Sequence, residues 1–166
     1  MGDHADCQMP QPTDQHHRIL ADVGTWNVKC TYMMDPSQPE MVCDATETIE
    51  PVGGFWTVSR FESDFMGMPF VGRCTLGYDP RKERFVGSWV DCMSSTMFVM
   101  EGGFRADGKT LEMHSEGPHM ATGEIVPMRM VTTYRDDGTR AFDMFVGNPG
   151  GQGEMQCFHY EYTRAG

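Results

Sequence analysis

Leu20-Ala21-Asp22-Val23-Gly24-Thr25-Trp26 is the stretch where this chain changes character. Ahead of it, Thr13 stands at an N-cap position, Asp14 complements the helix dipole, and Ile19 and Leu20 offer apolar contacts, so a short helix is predicted over 14–21. Behind it, Trp26, Val28, Cys30 and Tyr32 share one face of an extended run. Gly24 marks the junction, where a backbone without a Cβ turns without steric cost. The helix is therefore the preface to a chain of strands.

Pro and Gly clusters cut the remainder into extended segments. Ten strands are predicted, over 25–34, 41–50, 54–65, 69–78, 84–92, 95–105, 110–117, 124–135, 139–147 and 153–164. The short spacings require antiparallel neighbours. If Asp107-Gly108 is a two-residue I′ turn, Phe104 faces Leu111 and Gly102 faces Met113, with Glu101 and His114 paired on the outer side. A three-residue loop ending at Gly138 places Thr132 opposite Phe142, Met130 opposite Met144 and Met128 opposite Val146. Across the 35–39 turn, Cys30 faces Cys43. That arrangement allows a cross-strand disulfide or two reduced thiols, and the strain of the former favours the thiols.

Ten sequential antiparallel strands are too many for one flat sheet, so an all-β fold is expected: a single antiparallel meander β-barrel with a short N-terminal helix. Residues 1–12, with Pro10 and Pro12 and no periodicity, read as a disordered tail, and 13–166 as the barrel domain. Parity turns Val28, Cys30, Tyr32, Met41 and Cys43 inward from the early strands. From the later ones it turns in Phe98, Met100, Met113, Met130, Phe142, Met144, Phe158 and Tyr160. A barrel of this size can hold one small ligand.

Composition narrows the function classes. A formal net charge of -11 repels phosphate backbones and anionic lipid, so neither nucleic-acid binding nor membrane insertion is expected. No apolar run approaches the roughly 20 residues of a membrane span, and the first residues lack the basic and apolar regions of a leader. A cytoplasmic location is the expectation, with removal of an export signal before residue 1 as the alternative. The six cysteines stand singly, without the C-x-x-C of a zinc ribbon. Sixteen methionines supply flexible apolar filler, suited to an adaptable cavity.

Taken in order, Gly24-Thr25-Trp26, Gly53-Gly54-Phe55-Trp56, Leu76-Gly77-Tyr78-Asp79-Pro80, Phe85-Val86-Gly87-Ser88-Trp89-Val90, Asp107-Gly108-Lys109-Thr110-Leu111, Glu116-Gly117-Pro118 and Tyr162-Thr163-Arg164 resemble the uncharacterised bacterial family called "domain of unknown function 1579". The resemblance covers nearly everything from Thr13 to Arg164. It implies a calycin or lipocalin-like barrel in which Trp26 plugs one end and Arg164 packs over it. It implies no activity, cofactor or catalytic residue.

Several constellations compete with a binding role. His114-Ser115-Glu116 matches the H-x-E of zinc deaminases, but Pro-Cys-x-x-Cys is absent and no metal site is expected. Nitrobindin-type barrels, a neighbouring calycin group, hold heme through a His near the C-terminus, which makes His159 the alternative heme ligand. Parity opposes it, because Phe158 and Tyr160 claim the interior. No G-x-S-x-G is present, and no Ser or Cys sits in an activating context. His16-His17 read as the exposed face of the helix. Glu47 shares its face with Cys43, Ala45 and Ile49 and so points inward, where a carboxylate must be paired or protonated; Arg60 or Arg73 is the expected partner.

The sequence thus predicts non-catalytic binding of a small hydrophobic molecule, without cofactor. The predicted cavity residues are Tyr32, Met41, Cys43, Glu47, Phe98, Met100, Met113, Met130, Met144 and Tyr160, with Trp26 and Arg164 closing the barrel. The alternatives are a heme protein, an isomerase using Glu47, and a side-chain-filled barrel serving as an interaction module. Nothing in the sequence assigns an oligomeric state.

Overall fold

The structure, a computed structural model, is described over residues 9–166. Helix α1 (Asp14–Leu20) precedes ten strands: β1 (Gly24–Tyr32), β2 (Met41–Val52), β3 (Trp56–Phe65), β4 (Met68–Asp79), β5 (Arg84–Asp91), β6 (Phe98–Phe104), β7 (Thr110–Pro118), β8 (Ile125–Tyr134), β9 (Arg140–Gly147) and β10 (Glu154–Arg164). Each strand pairs with its sequence neighbours, and β10 returns to β1, so the sheet closes into a barrel. Of the tail expected over 1–12, residues 1–8 lie outside the described part. Pro12 lies against Gly54, where an added Cβ would meet its ring at 2.6 Å.

The ladders follow the predicted registers. Phe104 faces Leu111 and Gly102 faces Met113; Thr132, Met130 and Met128 face Phe142, Met144 and Val146. Cys30 faces Cys43, and both are free thiols. The turn after β6 differs in type from the I′ expectation. Gly108 is left-handed at φ 67° but Asp107 is not, and the loop closes one step earlier, with Arg105 N–H donating to Thr110 O at 2.8 Å. The Asp107 carboxylate instead accepts from the Lys109 and Thr110 amides, at 2.9 Å each. An aspartate that satisfies the turn through its side chain has no need of positive φ.

Because strand direction alternates, the 33–40, 66–67, 92–97, 119–124 and 148–153 connections share one end of the barrel, and α1 lies at the other. Ile19, 1% exposed, enters a cluster with Phe85, Met100, Leu111, Met113 and Met130. His16 lies three residues earlier on the same helix face, so the face that buries Ile19 also buries His16. It is buried rather than exposed, which corrects the reading of His16-His17; His17 alone is exposed. The His16 ring accepts the Thr13 N–H at Nδ1, 2.9 Å, and places Nε2 3.1 Å from Tyr78 O.

Trp26 closes this end, 2% exposed, its indole N–H donating to Asp22 O at 2.9 Å. Arg164 crosses above it, Cζ 3.9 Å from the ring centroid, and donates to Val23 O at 2.7 Å and Ala21 O at 2.5 Å. Gly24 is required twice over. Its φ is +131°, and an added Cβ would meet Arg164 Nη1 at 2.7 Å. A second cluster runs along β1 and its neighbours through Trp26, Val28, Cys30, Tyr32 and Phe61, and Trp89 and Phe142 pack against both clusters.

Candidate functional site

Alternation along β2 turns Glu47 inward between Ala45 and Ile49, and Glu47 is 8% exposed. Its partner is neither Arg60, which pairs with Glu62 at 2.5 Å, nor Arg73, which is exposed. Arg140 of β9 reaches across the barrel instead, with Nη2 3.2 Å from Glu47 Oε2 and Nη1 2.5 Å from Asp22 Oδ2. The Tyr134 hydroxyl donates to the same Asp22 oxygen at 2.8 Å. The guanidinium also lies 4.6 Å from the Trp26 ring centroid and 4.5 Å from that of Tyr162. Trp26 is thus held between two arginines, each favourably placed on its π face.

The charges do not balance locally. One guanidinium is hydrogen-bonded to two carboxylates; Asp22 also has the Tyr134 hydroxyl and the field of Arg164. Burial raises the Asp22 carboxyl above its ordinary range, against the opposing pull of Arg140. It raises Glu47 likewise; Arg140 and Ser59 oppose, and the charge of Asp22 reinforces the rise. Burial works against the Arg140 charge too, but Asp22, Tyr162 and Glu47 outweigh it and the guanidinium is held more firmly charged. The Ser59 hydroxyl lies beside the Glu47 carboxyl, yet neither it nor Arg140 Nε has a hydrogen-bond partner among the described residues.

These directions give a pH signature. A carboxyl raised in the folded state contributes stability that is fully present below its unfolded pKa, about 4, and lost as pH rises through the folded value. Glu47→Gln removes that loss, so the variant should gain stability relative to the parent as pH rises from acid to neutral. Urea midpoints of both proteins across that range measure the difference, and a flat difference would contradict the assignment.

The other residues of the predicted cavity set differ in burial. Tyr32, Met100, Met113 and Met130 are buried, whereas Met41, Cys43, Phe98, Met144 and Tyr160 are half-buried. Cys74, on β4 opposite Ser59, is the more telling residue. Burial pushes its thiol up to about 12, yet it keeps accessible surface, as do Trp89, Phe142 and Tyr160. These inward side chains are therefore not fully covered by their neighbours.

His159 lies on the outer wall, with Nδ1 2.7 Å from Asp143 and Nε2 3.0 Å from Glu161. Burial alone would lower its pKa, but these carboxylates hold it raised. Glu101 and His114 are aligned across β6 and β7 as predicted, but His114 places Nε2 2.9 Å from Glu112 and Glu101 approaches Lys82 at 3.8 Å. On the outer face His114 and His159 thus each lie against a neighbouring carboxylate.

Sequence reasoning missed Arg140, Asp22, Ser59 and Cys74. Arg140 carried a usable signal, since it shares parity with Phe142 and Met144, both assigned inward. A charged residue on an apolar stripe should have been sought as the partner of Glu47.

A family model described as "Protein of unknown function (DUF1579)" matches residues 11–164. The chain belongs to the DUF1579 family. No curated protein matches this DUF1579 chain. Among solved structures, the DUF1579 barrel is similar to the one titled "Crystal Structure of Rv2717c from M. tuberculosis", with a TM-score of 0.68 at 13% identity over 94% of this chain and 100% of that one. At that identity the likeness concerns the fold, and it agrees with a calycin-like barrel.

Proposed function

We propose that this DUF1579 protein binds a small hydrophobic molecule inside the barrel and carries out no chemistry on it. The observation that supports the reading is that Cys74, Trp89, Phe142 and Tyr160 pack toward the apolar clusters of the interior and yet keep accessible surface. Its wall is aromatic and thioether, with charge confined to the Arg140 end. Such a site selects by shape and apolar area and orients one polar group.

The test fills the space. Cys74→Phe should lower the affinity for the neutral fluorophore N-phenylnaphthylamine about tenfold or more while leaving the melting temperature unchanged or higher, because filling a void adds contacts without strain. A sharp loss of stability would mean that the interior is already full, and unchanged probe affinity would place binding elsewhere.

A second reading, of an interaction module, is favoured by a different observation. Met66, Met93, Met97 and Met120 are 47–79% exposed on the connections at the end opposite α1, where flexible thioethers suit an adaptable contact surface. Probe binding that survives Cys74→Phe but is lost when these four methionines become serine would support it.

A further inference from the structure

The interior has one polar pole, and its chemistry is lopsided. Asp22 and Glu47 share the guanidinium of Arg140, and Arg164, the other cation nearby, is committed to the Ala21 and Val23 carbonyls. Glu47 has Arg140 as its one cation, with the Ser59 and Tyr162 hydroxyls beside it, whereas Asp22 also feels the charge of Arg164. Beside Glu47, Ser59 is 5% exposed, and its hydroxyl has no hydrogen-bond partner among the described residues. A buried hydroxyl without a partner costs free energy that a ligand group recovers on binding. Ser59 sits opposite Cys74, an inward side chain that keeps accessible surface.

We infer that the molecule bound in the barrel carries a protonated amine, seated between the Glu47 carboxylate and the Ser59 hydroxyl, with its apolar body against Phe142, Trp89 and Tyr160. The inference rests on the binding reading above and adds the class of head group. Charge decides among the options. An anionic head would meet two carboxylates whose one shared guanidinium is already engaged. A neutral hydroxyl would satisfy Ser59 and leave the charge deficit in place. An ammonium supplies both the missing positive charge and N–H donors for the carboxylate and for Ser59 Oγ. The net charge of -11 raises the local concentration of cations around the protein as a whole.

Phenylpropylamine, phenylpropanol and phenylpropanoate share one apolar body and differ in head group. Displacement of N-phenylnaphthylamine from the full chain near neutral pH ranks them. The amine should compete at about tenfold lower concentration than the alcohol, as one charge-assisted hydrogen bond provides, and the propanoate should be the weakest. Glu47→Gln and Ser59→Ala should each bring the amine down to the level of the alcohol. Ser59→Ala deletes an unpaired buried hydroxyl and keeps the fold, so it decides the matter even where Glu47→Gln does not purify. Equal competition by amine and alcohol, or a preference for propanoate, with the fluorophore still bound, overturns the amine inference and leaves the cavity reading standing. Failure of the fluorophore and of all three compounds to bind removes both.

Discussion

Arg140→Ala is expected to destabilise the barrel by about 3–5 kcal/mol, the range for removing one partner of a buried ion pair. The reason lies less in the lost attraction than in what stays behind. Asp22 and Glu47, 7% and 8% exposed, would face each other without a cation between them. Protonation would rescue part of the loss, so the destabilisation should be largest at alkaline pH and smallest in mild acid. Urea denaturation at two pH values measures both. Arg140→Met with Asp22→Asn and Glu47→Gln together should recover much of the stability, because replacing a whole buried ionic group by matched neutral residues is often close to neutral. A near-neutral Arg140→Ala would refute the buried network.

Trp26→Ala should cost a comparable amount, about 3–5 kcal/mol, as large aromatic truncations in a core do. The indole is 2% exposed, hydrogen-bonded to Asp22 O, and flanked by Arg140 and Arg164 at 4.6 and 3.9 Å. Since Trp26 and Arg140 touch, the double substitution should cost less than the sum of the two singles. Additive losses would show that the arginine and the ring act independently. A solvent-exposed indole, read from its fluorescence maximum and quenching, would contradict the closed end itself.

How far the sequence could be read follows from what repeats in it. Alternation with period two placed Met100, Met113, Met130 and Met144 on one wall, and Gly at turns fixed hairpin registers between strands adjacent in sequence. The inward direction of Glu47 came from the same rule. Its pairing with Arg140 did not, because β2 and β9 are far apart in sequence and meet only across the closed barrel, where shear and strand tilt decide which rows oppose each other. His16 was misjudged for a related reason. A seven-residue helix shows less than two full turns, too few to reveal which face is apolar, whereas its spacing from Ile19 settles the matter once the helix is seen to cap the barrel.

The pairing of β10 with β1 bears on how the chain is made. Trp26 sits opposite Arg164 in that ladder, so the lock of the closed end joins residues some 140 positions apart, as in the contact between Arg164 and Val23. On the ribosome, which emits about 5–20 residues per second, β1 waits for β10 with its apolar face and the edge away from β2 unsatisfied. Nascent chains stalled before residue 154 would expose Trp26 and a bare strand edge to other chains and to chaperones. The vulnerable period of this protein is therefore its synthesis, and it ends when the last strand emerges.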